Sequence, residues 1–184
     1  MLALAGYATR YHKVVTYTGE RVMLLPSAFE RTLRSGACVE LLLNHFDHQR
    51  VGSTADGRLQ LFSDPRGLAF RFRIPDTDDG RYVRSMAEGK HHTSTSIGFD
   101  WYGAKKETRL IQGEATTCIA DATLTEISYM HGSHAGLMKD AYGTLLDLDY
   151  TASLQDNCSG GRFLYEGAAV GVIRALQDLT NRAG

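Results

Sequence analysis

Three short stretches hold side chains whose types suit bond-breaking chemistry. The first is Asn44-His45-Phe46-Asp47-His48, which places His45 just after the apolar run 37–43. A histidine at the end of a strand is well placed to be a base at the mouth of a core, because it titrates near neutral pH. A surface or structural histidine would fit the same position. The second is Thr93-Ser94-Thr95-Ser96-Ile97-Gly98-Phe99. A period of two puts Ser94 and Ser96 on one face of a strand there, and Thr95 and Ile97 on the other. The third is Thr123-Leu124-Thr125-Glu126-Ile127-Ser128, where Glu126 is a charge among apolar neighbours. A solvent-facing strand residue would explain that glutamate equally well.

A serine becomes a nucleophile only with a base within hydrogen-bond reach and a third group that orients the base. Ser96 or Ser94, His45 and Glu126 supply those three types. No G-x-S-x-G elbow is present, so the chain does not read as an α/β-hydrolase. His45-Phe46-Asp47-His48 and His131-Gly132-Ser133-His134 both have the form H-x-x-H and raise a zinc site. Neither has the glutamate and spacing of H-E-x-x-H, so no metal and no cofactor are expected. Cys38, Cys118 and Cys158 are widely spaced and odd in number, which argues against a disulfide framework.

These side chains must be carried by strands. Residues 2–7, 13–17 and 21–24 read as short strands, with Thr18-Gly19 as a turn. Ser27 followed by Glu30 is a capping box, predicting a short helix from Ala28 that ends at Gly36. Residues 37–43 form a nearly continuous apolar run, suited to a buried strand. Residues 59–62 and 67–74 read as a hairpin, with Arg71 and Arg73 on its wet face. An acidic turn at 76–80 leads into a helix over 81–88. Residues 92–101, 108–112 and 115–129 supply the remaining strands. Residues 132–162 read as loop-rich, and 162–181 as an amphipathic helix.

Composition bounds the function. The chain has 184 residues, enough for one domain, with 43% hydrophobic and 22% charged residues. Twenty Lys and Arg oppose 21 Asp and Glu, so no charge excess draws it to nucleic acid or to acidic lipid. No run of 18 apolar residues is present to span a membrane, and the first 13 residues make a poor signal peptide.

In order along the chain, these stretches resemble the prohead (capsid maturation) proteases of tailed bacteriophages, which are related to the herpesvirus assemblins. The resemblance runs from Gly6 to Met130. It rests on Gly6-Tyr7-Ala8, on Pro26-Ser27-Ala28-Phe29 where the family has PGAF, and on Asn44-His45-Phe46-Asp47 where it has NHD. It continues through Pro75-Asp76-Thr77 before a short helix, Ser96-Ile97-Gly98-Phe99 (SFGF) and Leu124-Thr125-Glu126-Ile127-Ser128 (L-x-E-V-S). The chain departs from the pattern where Phe46 separates the histidine from Asp47. It departs again where Ser94-Thr95 replaces Gly-Met before the serine, and where His131-Gly132-Ser133-His134 replaces PAY.

The resemblance implies an α+β, mainly β fold: a small antiparallel assemblin-like β-barrel with flanking short helices, to which the amphipathic pattern over 162–181 adds a C-terminal helix. Residues 1–135 would be the protease barrel. Residues 136–184 would be a loop-rich extension whose helix packs on the barrel or mediates self-association. It implies a serine endopeptidase with His45 as base, Ser96 as nucleophile and Glu126 as the third member. His131 is the alternative to Glu126, and Ser94 the alternative to Ser96. Backbone donors near Gly132 are candidates for the oxyanion. The substrates would be capsid and scaffold segments and the protease itself, inside the assembling prohead in the cytoplasm of the bacterial host. Neither nucleic acid nor membrane is expected as a partner. The alternative function is a non-catalytic capsid-assembly or scaffold domain that retains the barrel.

Overall fold

The computed structural model describes residues 2–89, 93–131 and 141–147. They form twelve strands and two short helices. The strands lie in three four-stranded sheets. The first has the order β12-β1-β7-β6, with β1 Leu2–Arg10, β6 Leu59–Asp64, β7 Gly67–Arg73 and β12 Gly143–Asp147. The second is β2-β3-β10-β9, with β2 Val14–Tyr17, β3 Glu20–Leu24, β9 Lys105–Ile111 and β10 Glu114–Asp121. The third is β5-β4-β11-β8, with β4 Glu40–Leu43, β5 Phe46–Ser53, β8 Thr93–Phe99 and β11 Leu124–His131.

The mainly β expectation holds, but the closed, antiparallel barrel needs correction. Among the described residues no sheet closes on itself, and two pairings are parallel, β3 with β10 and β4 with β11. Long connections separate the partners in each parallel pair, as parallel strands require. Isolated hydrogen bonds join the sheets where a barrel would need continuous ladders. The Thr95 N–H donates to the Ala141 carbonyl, the Thr95 hydroxyl to the Tyr7 carbonyl, and the His12 N–H to the Leu24 carbonyl.

One apolar core fills the space between the sheets. Leu4, Phe29, Leu41, Phe70, Phe72 and Ile127 are all fully buried in it. The alternation of β7 accounts for Leu68, Phe70 and Phe72 facing this core. Ala69, on the other face, joins a small cluster with Tyr7 and Phe62, and Arg73 is exposed. The turn before β7 is fixed by Asp64, whose Oδ1 accepts from the Arg66 and Gly67 N–H groups.

Helix α1 is Glu30–Ser35 and ends at Gly36 in the left-handed conformation (φ 66°), as its sequence predicts. Its start is different. Phe29 occupies the N-cap, and the Ser27 hydroxyl donates instead to the Ala120 carbonyl. Tertiary bonding has taken the side chain that the capping box would have used. Thr32 on α1 binds the link between β10 and β11. It donates to the Ala122 carbonyl and accepts from the Leu124 N–H, which sets where β11 begins. Helix α2, Asp78–Glu88, starts three residues earlier than its sequence suggests. Thr77 caps it by accepting from the Gly80 N–H, so Asp78 and Asp79 of the expected turn lie in the first helical turn. Strand β12 pairs antiparallel with β1, inside the stretch read as loop-rich. The expected helix over 162–181 lies outside the described residues.

Candidate active site

Strand β11 presents Glu126 and Ser128 on one face, two residues apart. Its antiparallel neighbour β8 sets Gly98 opposite Glu126 and Ser96 opposite Ser128. Its parallel neighbour β4 ends at Leu43, and the chain reverses through Asn44 and His45 into β5. Leu43 pairs with Phe46, so the reversal is a two-residue hairpin loop. Both loop residues have positive φ, 52° at Asn44 and 63° at His45, as a type I′ turn requires. Asparagine and histidine are among the non-glycine residues that adopt this region most readily.

The turn is pinned to β11. The Asn44 N–H donates to the Tyr129 carbonyl, and Asn44 Oδ1 accepts from the His131 N–H at 2.9 Å. The His45 N–H donates to Ser128 Oγ at 3.1 Å. These bonds bring the His45 ring over Glu126, with Nδ1 2.6 Å from Oε1. The other carboxylate oxygen, Oε2, accepts from the Ser128 hydroxyl at 2.7 Å. Ser128 is fully buried, Glu126 is largely buried, and His45 keeps part of its ring in solvent. The hydrogen bond that Glu126 accepts raises the His45 pKa above its usual value. Partial burial opposes that shift, and the carboxylate charge adds to it.

Gly98 makes room for this arrangement. A Cβ built there would strike Glu126 Oε1 and lie 2.9 Å from its Cγ. The Ser-x-Gly pattern thus has a steric cause: the side chain missing at residue 98 leaves space for the carboxylate from the opposite strand.

Ser96 and His45 line one cleft of about 470 Å³. Ser94 is buried on β8, opposite Met130. Of the residues that the sequence singles out, the structure joins His45 to Glu126 directly and sets Ser96 in the same cleft. His131 ends β11 with its N–H on Asn44. Gly132 and His134 lie outside the described residues. Among the described residues no group of three or more His, Cys, Asp and Glu gathers as metal ligands would. The His48 ring stacks on Phe46 at 5.5 Å.

A family model described as caudovirus prohead serine protease matches residues 1–132. The chain belongs to that family. The match ends one residue beyond β11, so it covers the turn, both strands of the site and the cleft. That family is one of serine proteases of the bacteriophage prohead, and capsid maturation is the role its description indicates. No curated protein matches the sequence.

Gly98 and Ser128 belong to the sequence motifs, but the motifs alone assign neither a role at the site. Both were visible as types: a glycine inside a strand often marks close approach, and Ser128 shares a face with Glu126 by simple alternation. Their contacts depend on the β8–β11 register, which the sequence does not print.

Proposed function

We propose that this chain is a serine endopeptidase in which Ser96 is the nucleophile, His45 the general base and acid, and Glu126 the group that orients the imidazole. What carries the reading is the 2.6 Å contact between His45 Nδ1 and Glu126 Oε1, beside a cleft that Ser96 also lines. With Nδ1 held by the carboxylate, Nε2 is the nitrogen available to a serine proton. Ser96 Oγ attacks the peptide carbonyl carbon and its proton passes to Nε2. The tetrahedral intermediate collapses as Nε2 protonates the departing amine, which leaves an acyl-serine. Water then attacks the ester, with His45 taking and returning a proton in the same way, and the carboxylic acid departs. Glu126 holds the ring in one tautomer and offsets its charge while it is protonated.

The substrates in this reading are capsid and scaffold segments within the assembling prohead, and the chain itself. Self-association would concentrate enzyme and substrate there. The test is the intact mass of the concentrated chain over time, for wild type, Ser96→Ala and Ser94→Ala. Fragmentation of wild type and Ser94→Ala, with Ser96→Ala intact, is the expected result. If Ser94→Ala alone stays whole, the nucleophile is Ser94. If all three stay whole even when co-expressed with the capsid protein, the chain is a non-catalytic assembly domain.

A further inference from the structure

The cleft beside Ser96 and His45 is polar at that end and apolar elsewhere. Val15 and Tyr17 come from β2, Val22 and Leu24 from β3, and Ile97 and Phe99 from β8, with Trp101 just beyond. Its volume, about 470 Å³, lies in the range of small-molecule and side-chain sites. The two strands that flank it, β2 and β8, are both edge strands of their sheets. Tyr17 is half exposed and its ring meets Trp101 at 6.0 Å, and Phe99 also meets Trp101 at 6.0 Å. Lys106 covers the Trp101 ring from β9, with Nζ 4.0 Å from its centroid. That cation is engaged with the ring face and adds to the packing of the aromatic wall.

We infer that this apolar cleft is the specificity subsite of the protease, and that it takes an aliphatic or aromatic side chain of an extended peptide laid along β8. The inference rests on the assignment of Ser96 and His45 above. The occupant follows from the walls and from what adjoins them. A peptide whose carbonyl carbon is at Ser96 Oγ must place its neighbouring side chains within a few ångströms of β8. The surface waiting there is made of Val, Leu, Ile, Phe and Trp. An acidic or basic side chain would lose its hydration against those walls with no partner in return. An apolar one is favoured by the surface it removes from water. The alternation that sends the Thr95 N–H to Ala141, away from β11, sends the backbone groups of Ile97 the same way. At Ile97 that edge offers main-chain hydrogen bonds to an extended peptide, so backbone pairing supplies affinity and the cleft supplies selectivity.

Trp101 is the chain's one tryptophan, so its fluorescence reports occupancy without any cleavage. The probes are acetyl-Ala-Ala-X-Ala-Ala-amide peptides with X as Leu, Phe, Asp or Lys, titrated into the full-length Ser96→Ala chain. The Leu and Phe peptides are expected to shift the Trp101 emission and to bind at least about tenfold tighter than the Asp peptide. Val15→Lys, at a partly exposed edge-strand position, is expected to reverse that order in favour of Asp. In parallel, the wild-type chain is given a mixture of peptides from a digested bacterial lysate. Its cleavage sites are expected to share an apolar residue at one fixed distance from the scissile bond. Cleavage without such a preference overturns the subsite and leaves the protease assignment standing. Selective binding without cleavage keeps the subsite and counts against the protease assignment. Equal affinity for all four peptides, or no Trp101 response to any, overturns the subsite.

Discussion

The carboxylate of Glu126 fills the space that a side chain at Gly98 would need. The two residues are cross-strand partners on β11 and β8, and the vacancy on one strand sets where the charge of the other lies. Gly98→Ala is therefore expected to push the carboxylate away from His45 Nδ1. The obstruction is the movable end of a side chain, so the strand itself can persist. Misplacing a reacting group by about 1 Å can cost about 100-fold in rate. Cleavage should fall by about that factor, with the circular dichroism spectrum unchanged. A Gly98→Ala chain that cleaves at the wild-type rate would show that the carboxylate need not lie where it does.

The His45 pKa is raised chiefly by its hydrogen bond to Glu126. A base must be neutral to take the serine proton, so kcat/KM should climb with pH through an inflection above the usual histidine value of about 6.5. Glu126→Gln keeps the shape and removes the charge. Its inflection should move to lower pH, and its maximal rate should drop by about 10³- to 10⁴-fold as the ring loses its orienting carboxylate. The same pair bears on stability with a definite sign. A raised folded-state pKa stabilises the fold below the unfolded value near 6.5, and that contribution is lost as pH rises through the folded-state value. Matching inflections in wild type and Glu126→Gln would separate Glu126 from the titration.

Much of the fold was legible because alternation and turn chemistry act locally. The arginine-alternating strand β7, the stop at Gly36 and the β-rich pattern of β8 and β11 all follow from neighbours within a few residues. The N-cap of α1 was not legible, since Ser27 is bonded to Ala120, far along the chain. The parallel pairings of β3 with β10 and β4 with β11 were missed for the same reason, because periodicity does not encode the partner. At the site, residue types pointed to His45, Ser96 and Glu126. Gly98, Ser128 and the aromatic wall at Tyr17 and Trp101 emerge only when separate strands are set side by side.

Asn44 carries the first positive φ of the turn that delivers His45. Asn44→Gly keeps that backbone freedom and loses only the hydrogen bond with the His131 N–H. It should cost about 0.5–1.5 kcal/mol in urea unfolding. Asn44→Val forces a β-branched residue into the left-handed region and should cost about 1–3 kcal/mol more. Activity should follow the same order, because His45 reaches Glu126 only through this turn. Equal stability of the two variants would show that the turn is not held by Asn44.

Ser128 touches both parts of the His45–Glu126 pair. It accepts from the His45 N–H and donates to Glu126 Oε2, fully buried between them. Its role is positioning, since Ser96, not Ser128, lines the cleft. Ser128→Ala removes a hydrogen bond to a charged group, worth about 1.5–3 kcal/mol. If about half of that is expressed in the transition state, kcat falls by about 4- to 13-fold, with KM unchanged. A structural weakness alone would predict the same further loss on any background. If Ser128 acts through Glu126, its removal should cost little once Glu126→Gln has taken the charge away. The double-mutant cycle on kcat should therefore be strongly non-additive. Additive losses would assign Ser128 to the fold and leave Glu126 to orient His45 without it.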